Sequence, residues 1–266
     1  MKKRILSTVL AVSLLAATVL TGCGSNDNDD LLAQIQANGK IVIAMEGNWA
    51  PWTYHDESGE LVGFDTEVGK LIAEKLGVEA DFVEGDWDGL LAGLETGRYD
   101  VMINGVEVTE ERAEKYDFTD PYCYIHTALI VKSDNTDIKT FEDLDGKTTA
   151  NSLDSTYQYL AQEYGATVLN VEALNDTLDM VLSGRADATL NAEVSYYDYM
   201  GEHPEAQLKV VDLTDEASLV VIPLRKGEET DSLRKAINQA IQEIRESGQL
   251  AALSQKYFGM DITSAE

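Results

Sequence analysis

A repeated pattern of helix, turn and strand is the feature that most constrains the fold of this chain. The segment LLAGLETGRYDVMIN at residues 90–104 is matched by LDMVLSGRADATLN at residues 178–191. Each reads as a helix, then Gly-Arg-x-Asp, then a short apolar strand that closes on Asn. A second pair, Gly39-Lys40 and Gly146-Lys147, precedes another strand in the same order. The two pairs predict two similarly built α/β lobes, in which Gly-Arg-x-Asp ends a helix and begins a strand without any chemical role.

The first 22 residues are predicted to be a lipoprotein signal peptide. Three basic residues at positions 2–4 precede a mostly apolar segment at positions 5–20, which is typical of a secretory signal. The segment ends in Leu20-Thr21-Gly22-Cys23, which resembles the lipobox of bacterial lipoproteins. That resemblance implies cleavage before Cys23 and a lipid on Cys23 itself, followed by a flexible acidic tether at residues 23–30. The alternative is an uncleaved membrane anchor.

Charge and length narrow the possible partners. The chain has 266 residues, with 20 Lys and Arg against 48 Asp and Glu, for a formal net charge of −28. A surface this acidic repels phosphate backbones, so nucleic acid is not expected as a partner. The 244 residues that follow position 22 are enough for two lobes of about 100–120 residues each. None of their apolar stretches is long enough to span a bilayer.

Polar and aromatic residues follow several of the predicted strands. In open α/β sheets, ligands bind beyond the carboxyl ends of the strands. If two lobes face each other across a cleft, this rule places the following residues near one another: Trp49, Trp87 and residues 104–112, 152–157 and 191–193. The chain is expected to cross between lobes near residues 122–127 and to return near residues 217–221. Lobe 1 would then comprise residues 31–124 and 219–266, lobe 2 would comprise residues 125–218, and the two crossings would form a hinge.

Arg112 stands where an anion-binding residue would be useful. Thr109 is predicted to be the N-cap of a short helix, which places Arg112 in its first turn. A cation there opposes the helix dipole, but it can help the exposed amides to hold an anion, and its planar fork suits a carboxylate. The alternative is a solvated arginine paired with Glu107 or another acid. A second N-cap is predicted at Asp65, before another helix.

Five short motifs occur in order along the chain: Gly63-Phe64-Asp65, Thr109-x-x-Arg112, Tyr116-Asp117-Phe118, Asp143-Leu144-x-Gly146-Lys147 and Lys256-Tyr257-Phe258-Gly259. With these motifs, the sequence from Gly39 to about Ile262 resembles the solute-binding proteins of amino-acid ABC importers, family 3 of the bacterial extracellular solute-binding proteins. Residues 150–153 and 188–191 are similar to its cystine-type branch. The resemblance implies a periplasmic-binding-protein-like (type II) α/β fold with two lobes, a two-strand hinge and a cleft. It also implies a polar α-amino acid ligand such as cystine, an ABC permease and ATPase as partners, and neither cofactor nor metal.

The same resemblance assigns roles within the cleft. Arg112 would hold the α-carboxylate of the ligand, helped by Ser155 and Thr156. Trp49 and Trp87 would pack on the ligand side chain, although either could instead be a core residue. The remaining members of the set would supply polar side chains or backbone groups. The full predicted substrate-binding set is Glu46, Trp49, Trp87, Asn104, Gly105, Glu107, Arg112, Ser152, Ser155, Thr156, Asn191 and Glu193.

Two departures from the family pattern concern the ligand ammonium. Many relatives use a second-lobe aspartate where this chain has Ala192, and they have Ser or Thr where this chain has Glu107. Because a buried ammonium without a partner is costly, some acid should lie close to it. We expect that acid to be Glu107, with Glu193 as the alternative. Glu107 could also be a solvated charge at the rim.

The sequence favours a non-catalytic binding protein, monomeric and tethered by lipid at the extracytoplasmic face of the cell membrane. One alternative is an enzyme on the same fold, such as a dehydratase, in which Glu46, Glu107 and Glu193 could supply a carboxylate pair. The sequence has no nucleophile elbow and no HExxH or CxxC motif, and its three histidines lack metal-ligand spacing. The other alternative is an extracytoplasmic sensor domain.

Overall fold

The computed structural model describes residues 30–264, so the predicted signal peptide, Cys23 and nearly all of the predicted tether lie outside the described residues. Two single 3-10 turns occupy Phe141–Leu144 and Glu228–Thr230. The helices in this range are α1 (Leu31–Asn38), α2 (Phe64–Leu76), α3 (Trp87–Glu95), α4 (Glu110–Lys115), α5 (Thr156–Glu163), α6 (Leu174–Leu182), α7 (Glu193–Glu202), α8 (Asp231–Glu246) and α9 (Gln249–Phe258). The strands are β1 (Lys40–Met45), β2 (Asn48–Trp49), β3 (Thr53–His55), β4 (Leu61–Val62), β5 (Glu79–Glu84), β6 (Val101–Met102), β7 (Tyr116–Phe118), β8 (Cys123–Ile125), β9 (Thr127–Lys132), β10 (Thr148–Asn151), β11 (Thr167–Asn170), β12 (Ala188–Ala192), β13 (Leu208–Leu213), β14 (Ser218–Val220) and β15 (Pro223–Arg225).

The first lobe is built on a parallel sheet in the order β5-β1-β6. Strand β1 is its centre, and its side chains from Ile43 to Met45 are fully buried because helices cover both faces of the sheet. Helix α2 packs on one face together with α8 and α9, and α3 packs against β1 and β6. The C-terminal helices therefore pack on α2 and belong to the first lobe.

The second lobe is built on a five-stranded sheet in the order β11-β10-β12-β9-β13. Strand β10 runs parallel to β11 and β12, whereas β9 is antiparallel to both β12 and β13. Helices α5 and α6 pack against β10 and β12. Each lobe thus carries parallel strands whose carboxyl ends are followed by loops and helix starts, which is the edge where ligands bind in such sheets.

The repeated Gly-Arg-x-Asp motif fastens a strand to its neighbour in each lobe. The Asp100 carboxylate accepts the Val42 backbone N–H at 2.7 Å, and the Asp100 N–H donates to the Val42 carbonyl. In the second lobe, Asp187 makes the same two bonds with Thr148, the carboxylate bond at 2.8 Å. The motif has the structural role that the sequence predicts, because both carboxylates satisfy the backbone at a helix-to-strand turn.

Two antiparallel strands connect the lobes. Strand β8 leads from the first sheet to the second, and β14 leads back, pairing with β8 in a register that joins Cys123 to Val220 and Ile125 to Ser218. The predicted two-lobe α/β fold with a two-strand hinge is confirmed. Within residues 30–264, no helix combines the length and the apolar character that a membrane span requires.

Two local expectations are wrong. Helix α2 has Gly63 as its N-cap, and Asp65 lies inside its first turn, fully buried, with its carboxylate on the Gly105 N–H at 2.6 Å and the Tyr122 hydroxyl at 2.8 Å. Burial raises the pKa of Asp65 to about 7 in spite of these two donors. Asp30, the last residue of the predicted tether, is instead the N-cap of α1.

Candidate ligand-binding site

A cavity lies between the lobes, at the carboxyl ends of β1, β10 and β12. It encloses about 470 Å³ of atom-free space, its open mouth included. Nine of the twelve predicted site residues line it, and they come from both lobes: Glu46, Trp49, Trp87, Gly105, Glu107, Ser152, Ser155, Thr156 and Asn191. Four further residues that were not in the predicted set complete the lining: Asn48, Tyr157, Glu172 and Leu174.

Two tryptophans form the aromatic part of the wall. Trp49 stacks on Trp52 with ring centroids 5.1 Å apart. The Arg112 guanidinium lies over the Trp87 ring, with its Cζ 5.2 Å from the ring centroid. Both Trp49 and Trp87 are more than nine-tenths buried. Neither indole Nε1 has a hydrogen-bond partner among residues 30–264. Both side chains are therefore buried in the cavity wall, each with one hydrogen-bond donor that no described residue uses.

Arg112 is buried against the cavity wall rather than in its lining. Its backbone N–H is capped by the Thr109 hydroxyl at 3.1 Å, as predicted. Its guanidinium donates to the Glu107 carbonyl at 2.9 Å and to the Asp154 carbonyl of the other lobe at 3.1 Å. Burial lowers the pKa of Arg112, and the negative charge of Glu107 opposes that shift. The alternative of a solvated, ion-paired arginine is wrong, because Arg112 is 5% exposed and forms no ion pair within the described part of the chain.

The loop before α5 brings the second lobe to Arg112. Asp154 has φ 58°, and it is the one residue other than glycine with a positive φ in the range 30–264. Ser155 follows as the N-cap of α5: its hydroxyl accepts the Gln158 N–H and donates to the Ser152 carbonyl. This strained turn directs the Asp154 carbonyl at the guanidinium, and strain of this kind is often found at functional sites.

Glu107 is a buried acid inside the cavity. It is 4% exposed, and its Oε1 accepts the Thr156 hydroxyl of the other lobe at 2.5 Å. The alternative of a solvated rim charge is therefore wrong. Glu193 lies elsewhere, half-buried at the start of α7, where its backbone N–H donates to the His126 carbonyl and its side chain is outside the cavity lining. Of the two acids proposed to hold an ammonium, only Glu107 is in the cavity.

The first lobe contributes Glu46 and Gly105 to the cavity lining, and Asn104 supports Glu46 from outside the lining. Asn104 does not line the cavity, but it fixes Glu46 by accepting its N–H at 2.8 Å and donating to its carboxylate at 2.7 Å. Burial raises the pKa of Glu46 to about 7, and the bond from Asn104 opposes this only in part. The Gly105 N–H is already donated to Asp65, so of the Gly105 backbone groups the carbonyl alone is left for a ligand.

The lobes are closed on one another. Arg112 reaches the Asp154 carbonyl, Thr156 reaches Glu107, and a third bond joins the Trp52 indole N–H to the Ser195 hydroxyl at 3.0 Å in a buried position. Thr156, Asp154 and Ser195 belong to helices and loops of the second sheet, and their partners belong to the first. A solute enclosed here would contact both lobes at once.

The fold and the cavity agree with the relatives of the chain. The family model of the bacterial extracellular solute-binding proteins, family 3, matches residues 41–260, and the chain belongs to this family. It is an amino-acid solute-binding protein of the ABC transporter family. The L-cystine-binding protein TcyA of Bacillus subtilis (strain 168) is 37% identical over 273 residues, covering 99% of this chain and all of that relative.

Two solved structures with similar sequence identity to this chain differ in how well their lobes overlap with it. An ancestral arginine-binding protein bound to arginine is 35% identical, with a TM-score of 0.77, and the match covers 83% of this chain and 99% of that one. The L-cystine solute receptor of Neisseria gonorrhoeae in the unliganded open conformation is 36% identical, with a TM-score of 0.60, and the match covers 88% and 99%. Similar identity with lower overlap to the open receptor agrees with a closed cleft in this chain.

Proposed function

We propose that this chain is a lipid-anchored, extracytoplasmic binding protein that captures a polar α-amino acid by lobe closure and delivers it to an ABC permease driven by its ATPase. It acts as a monomer and without catalysis. The observation that carries the proposal is the cavity between the lobes, beside which a buried arginine has carbonyl oxygens as partners and, among residues 30–264, no carboxylate. A ligand carboxylate would supply the charge that this arginine lacks.

Arg112 would exchange one of its partners on binding. When the lobes open, the Asp154 carbonyl leaves Nη2, and that donor becomes available to the α-carboxylate of an incoming amino acid. A carboxylate is a stronger acceptor than a carbonyl because the hydrogen bond is charge-assisted on both sides. Glu107 would take the ammonium, and the Trp49 and Trp87 rings would cover the side chain.

Isothermal titration calorimetry with a panel of amino acids tests the arginine. The charge-assisted hydrogen bond that Nη2 would donate to the carboxylate, at about 1.5–3 kcal/mol, predicts that Arg112→Ala weakens binding by roughly 10-fold to 100-fold. Arg98→Ala is the matched control, because Arg98 is exposed and precedes β6 at the end of the first sheet away from the cavity. Undiminished affinity of Arg112→Ala would remove the basis of the proposal.

The ammonium partner is tested by two carboxyl-to-amide changes. Glu107→Gln should weaken binding by roughly tenfold or more, a loss of about 1.4 kcal/mol, with little change in the melting temperature of the empty protein. Glu193→Gln should leave affinity unchanged, since Glu193 is outside the cavity lining. The opposite ranking of the two variants would assign the ammonium to Glu193.

Anchoring and the lack of turnover have their own tests. Metabolic labelling with a radioactive fatty acid should mark the wild-type chain and not a Cys23→Ser variant, which should leave the membrane fraction. The raised pKa of Glu46 is the feature that would suit general acid or base catalysis. Mass spectrometry of an amino acid recovered after prolonged incubation should find it unchanged, and a converted product would identify an enzyme.

A further inference from the structure

Helix α7 carries a contact between the lobes that lies outside the ligand cavity. The Ser195 hydroxyl accepts the Trp52 indole N–H, and Asp198 and Glu202 follow Ser195 at spacings of three and four residues. These spacings place the three side chains on one face of the helix. All three line a crevice of about 770 Å³, its open mouth included, whose other wall comes from residues 47–55 of the first lobe. This face of α7 is therefore the one that meets the first lobe.

Asp198 lies between the two lobes. It also lines a second crevice, which it shares with Tyr257 and Phe258 at the end of α9 in the first lobe. The side chain is half-buried, and its carboxylate has no hydrogen bond and no ion pair among the described residues. Because opening at the hinge moves α7 away from both first-lobe segments, closure removes water from this carboxylate and supplies no donor in its place.

Neighbouring groups of the second lobe do not offset this loss. Glu202 is one turn further along α7 and carries the same charge as Asp198. His203 follows the helix, and its Nδ1 lies 3.9 Å from the carboxylate of Glu205. The second lobe therefore adds a repulsion and no counter-charge to Asp198.

The first lobe presents two more titratable segments to the same contact. From β3 it presents Tyr54, and His55, whose Nε2 lies 2.8 Å from the Glu84 carboxylate. From α9 it presents Tyr257, whose hydroxyl accepts the Lys256 ammonium at 3.0 Å. Each cation at this boundary thus has a partner other than the carboxylate on α7.

The loss of water couples closure to pH. Desolvation, with the charge of Glu202 as the smaller cause, raises the pKa of Asp198 from 3.8 to about 6 in this closed arrangement. The closed form therefore binds more protons than an open form in which Asp198 is solvated. Between about pH 3.8 and 6, closure becomes less favourable as the pH rises.

We propose that closure of the lobes is coupled to the uptake of a proton from solvent by Asp198, so that the neutral carboxyl allows α7 to pack on the first lobe and the ionised carboxylate opposes it. This inference rests on the lobe closure of the proposed function, but not on which amino acid is bound. The bond from Trp52 to Ser195 favours closure at every pH, and Asp198 makes closure dependent on pH. A solute would be held more tightly in a more acidic medium.

Calorimetry with L-arginine, L-glutamine and L-cystine at pH 5 and pH 7 tests the coupling. Asp198→Asn has the size of the neutral carboxyl and cannot ionise. For each amino acid that binds, the dissociation constant of the wild type should exceed that of the variant at least tenfold at pH 7. This ratio should be roughly three- to tenfold smaller at pH 5, a range that allows for the water that a half-buried carboxyl retains.

Two comparisons assign the effect to Asp198. Glu46 lies in the ligand cavity and has a pKa of about 7, so the ratio of the two proteins at each pH, rather than the wild type alone, isolates Asp198. Asp134→Asn is the matched control, because Asp134 is exposed in the turn that follows β9, and its affinities should equal those of the wild type. A ratio of wild type to Asp198→Asn that is the same at both pH values would overturn the inference.

Small-angle X-ray scattering of the ligand-free chain measures closure without a solute. In the wild type, the fraction of closed molecules should fall between pH 5 and pH 7, and in Asp198→Asn it should stay constant. A wild-type chain that is closed to the same extent at both pH values, or a pH dependence that persists in the variant, would overturn the inference. If the ligand-free chain is open at both pH values, the calorimetric ratio decides.

The outcomes also separate the two proposals. If amino acids bind and the calorimetric ratio does not change with pH, the proposed function stands and this inference fails. If no amino acid of the panel binds while scattering shows closure that depends on Asp198, the proposed function fails and this inference stands. If no amino acid binds and scattering shows no such closure, both fail.

Discussion

Asp65→Asn should remove a pH-dependent destabilisation of the first lobe. Asp65 is fully buried, and its pKa rises from 3.8 to about 7 in the fold, because desolvation outweighs its two hydrogen bonds. The folded chain therefore binds more protons than the unfolded chain between pH 3.8 and 7, so the free energy of unfolding falls as the pH rises through this window. The full rise in pKa corresponds to roughly 4 kcal/mol, of which about 3 kcal/mol lies between pH 5 and pH 8.

The asparagine can keep both hydrogen bonds. Its carbonyl accepts the Gly105 N–H, and its amide donates to the Tyr122 hydroxyl, which rotates to act as an acceptor. Urea denaturation of the empty protein at pH 5, 6, 7 and 8 measures the difference between variant and wild type. From pH 5 to pH 8, the free energy of unfolding of Asp65→Asn should rise by about 3 kcal/mol relative to that of the wild type. The exposed control Asp134→Asn should show the same pH dependence of the free energy of unfolding as the wild type. Parallel curves for Asp65→Asn would refute the reasoning.

A further prediction concerns the cavity. Gly105 has φ 57°, and a Cβ there would lie 2.6 Å from the Trp49 ring. Gly105→Ala should therefore displace the ring and weaken amino-acid binding at least tenfold, as measured by calorimetry. Gly59→Ala, at φ 83° with open space around it, should leave the affinity unchanged, and equal losses of affinity in the two variants would contradict the predicted collision with Trp49.

The features that depend on short, local sequence patterns were predictable from the sequence. The Gly-Arg-x-Asp repeat located equivalent turns in two lobes, since a short spacing of Gly, Asp and an apolar run is fixed by local geometry. The Thr109 cap and the two chain crossings near residues 122–127 and 217–221 followed in the same way. Residues placed at the carboxyl ends of strands mostly reached the cavity, because the topology of a parallel sheet brings those ends to one edge.

What the sequence could not supply depends on contacts between distant segments. Asp65 reads as a helix cap, but Gly105 and Tyr122 draw its carboxylate into the core. Glu172 lies in a loop of the second lobe, and no spacing relates it to Glu46. The Asp154 carbonyl is a backbone group without a signal in its side chain, although it is the second-lobe partner of Arg112.

The bonds that close the lobes have a cost for affinity. In the closed arrangement Arg112 and Glu107 bond to Asp154 and Thr156, so this arrangement uses the same groups that a solute needs. A molecule in this closed arrangement cannot bind a solute, so the apparent dissociation constant rises in inverse proportion to the fraction of molecules that are open. Substituting Thr156, which also lines the cavity, would remove one of these bonds and so raise the fraction of open molecules.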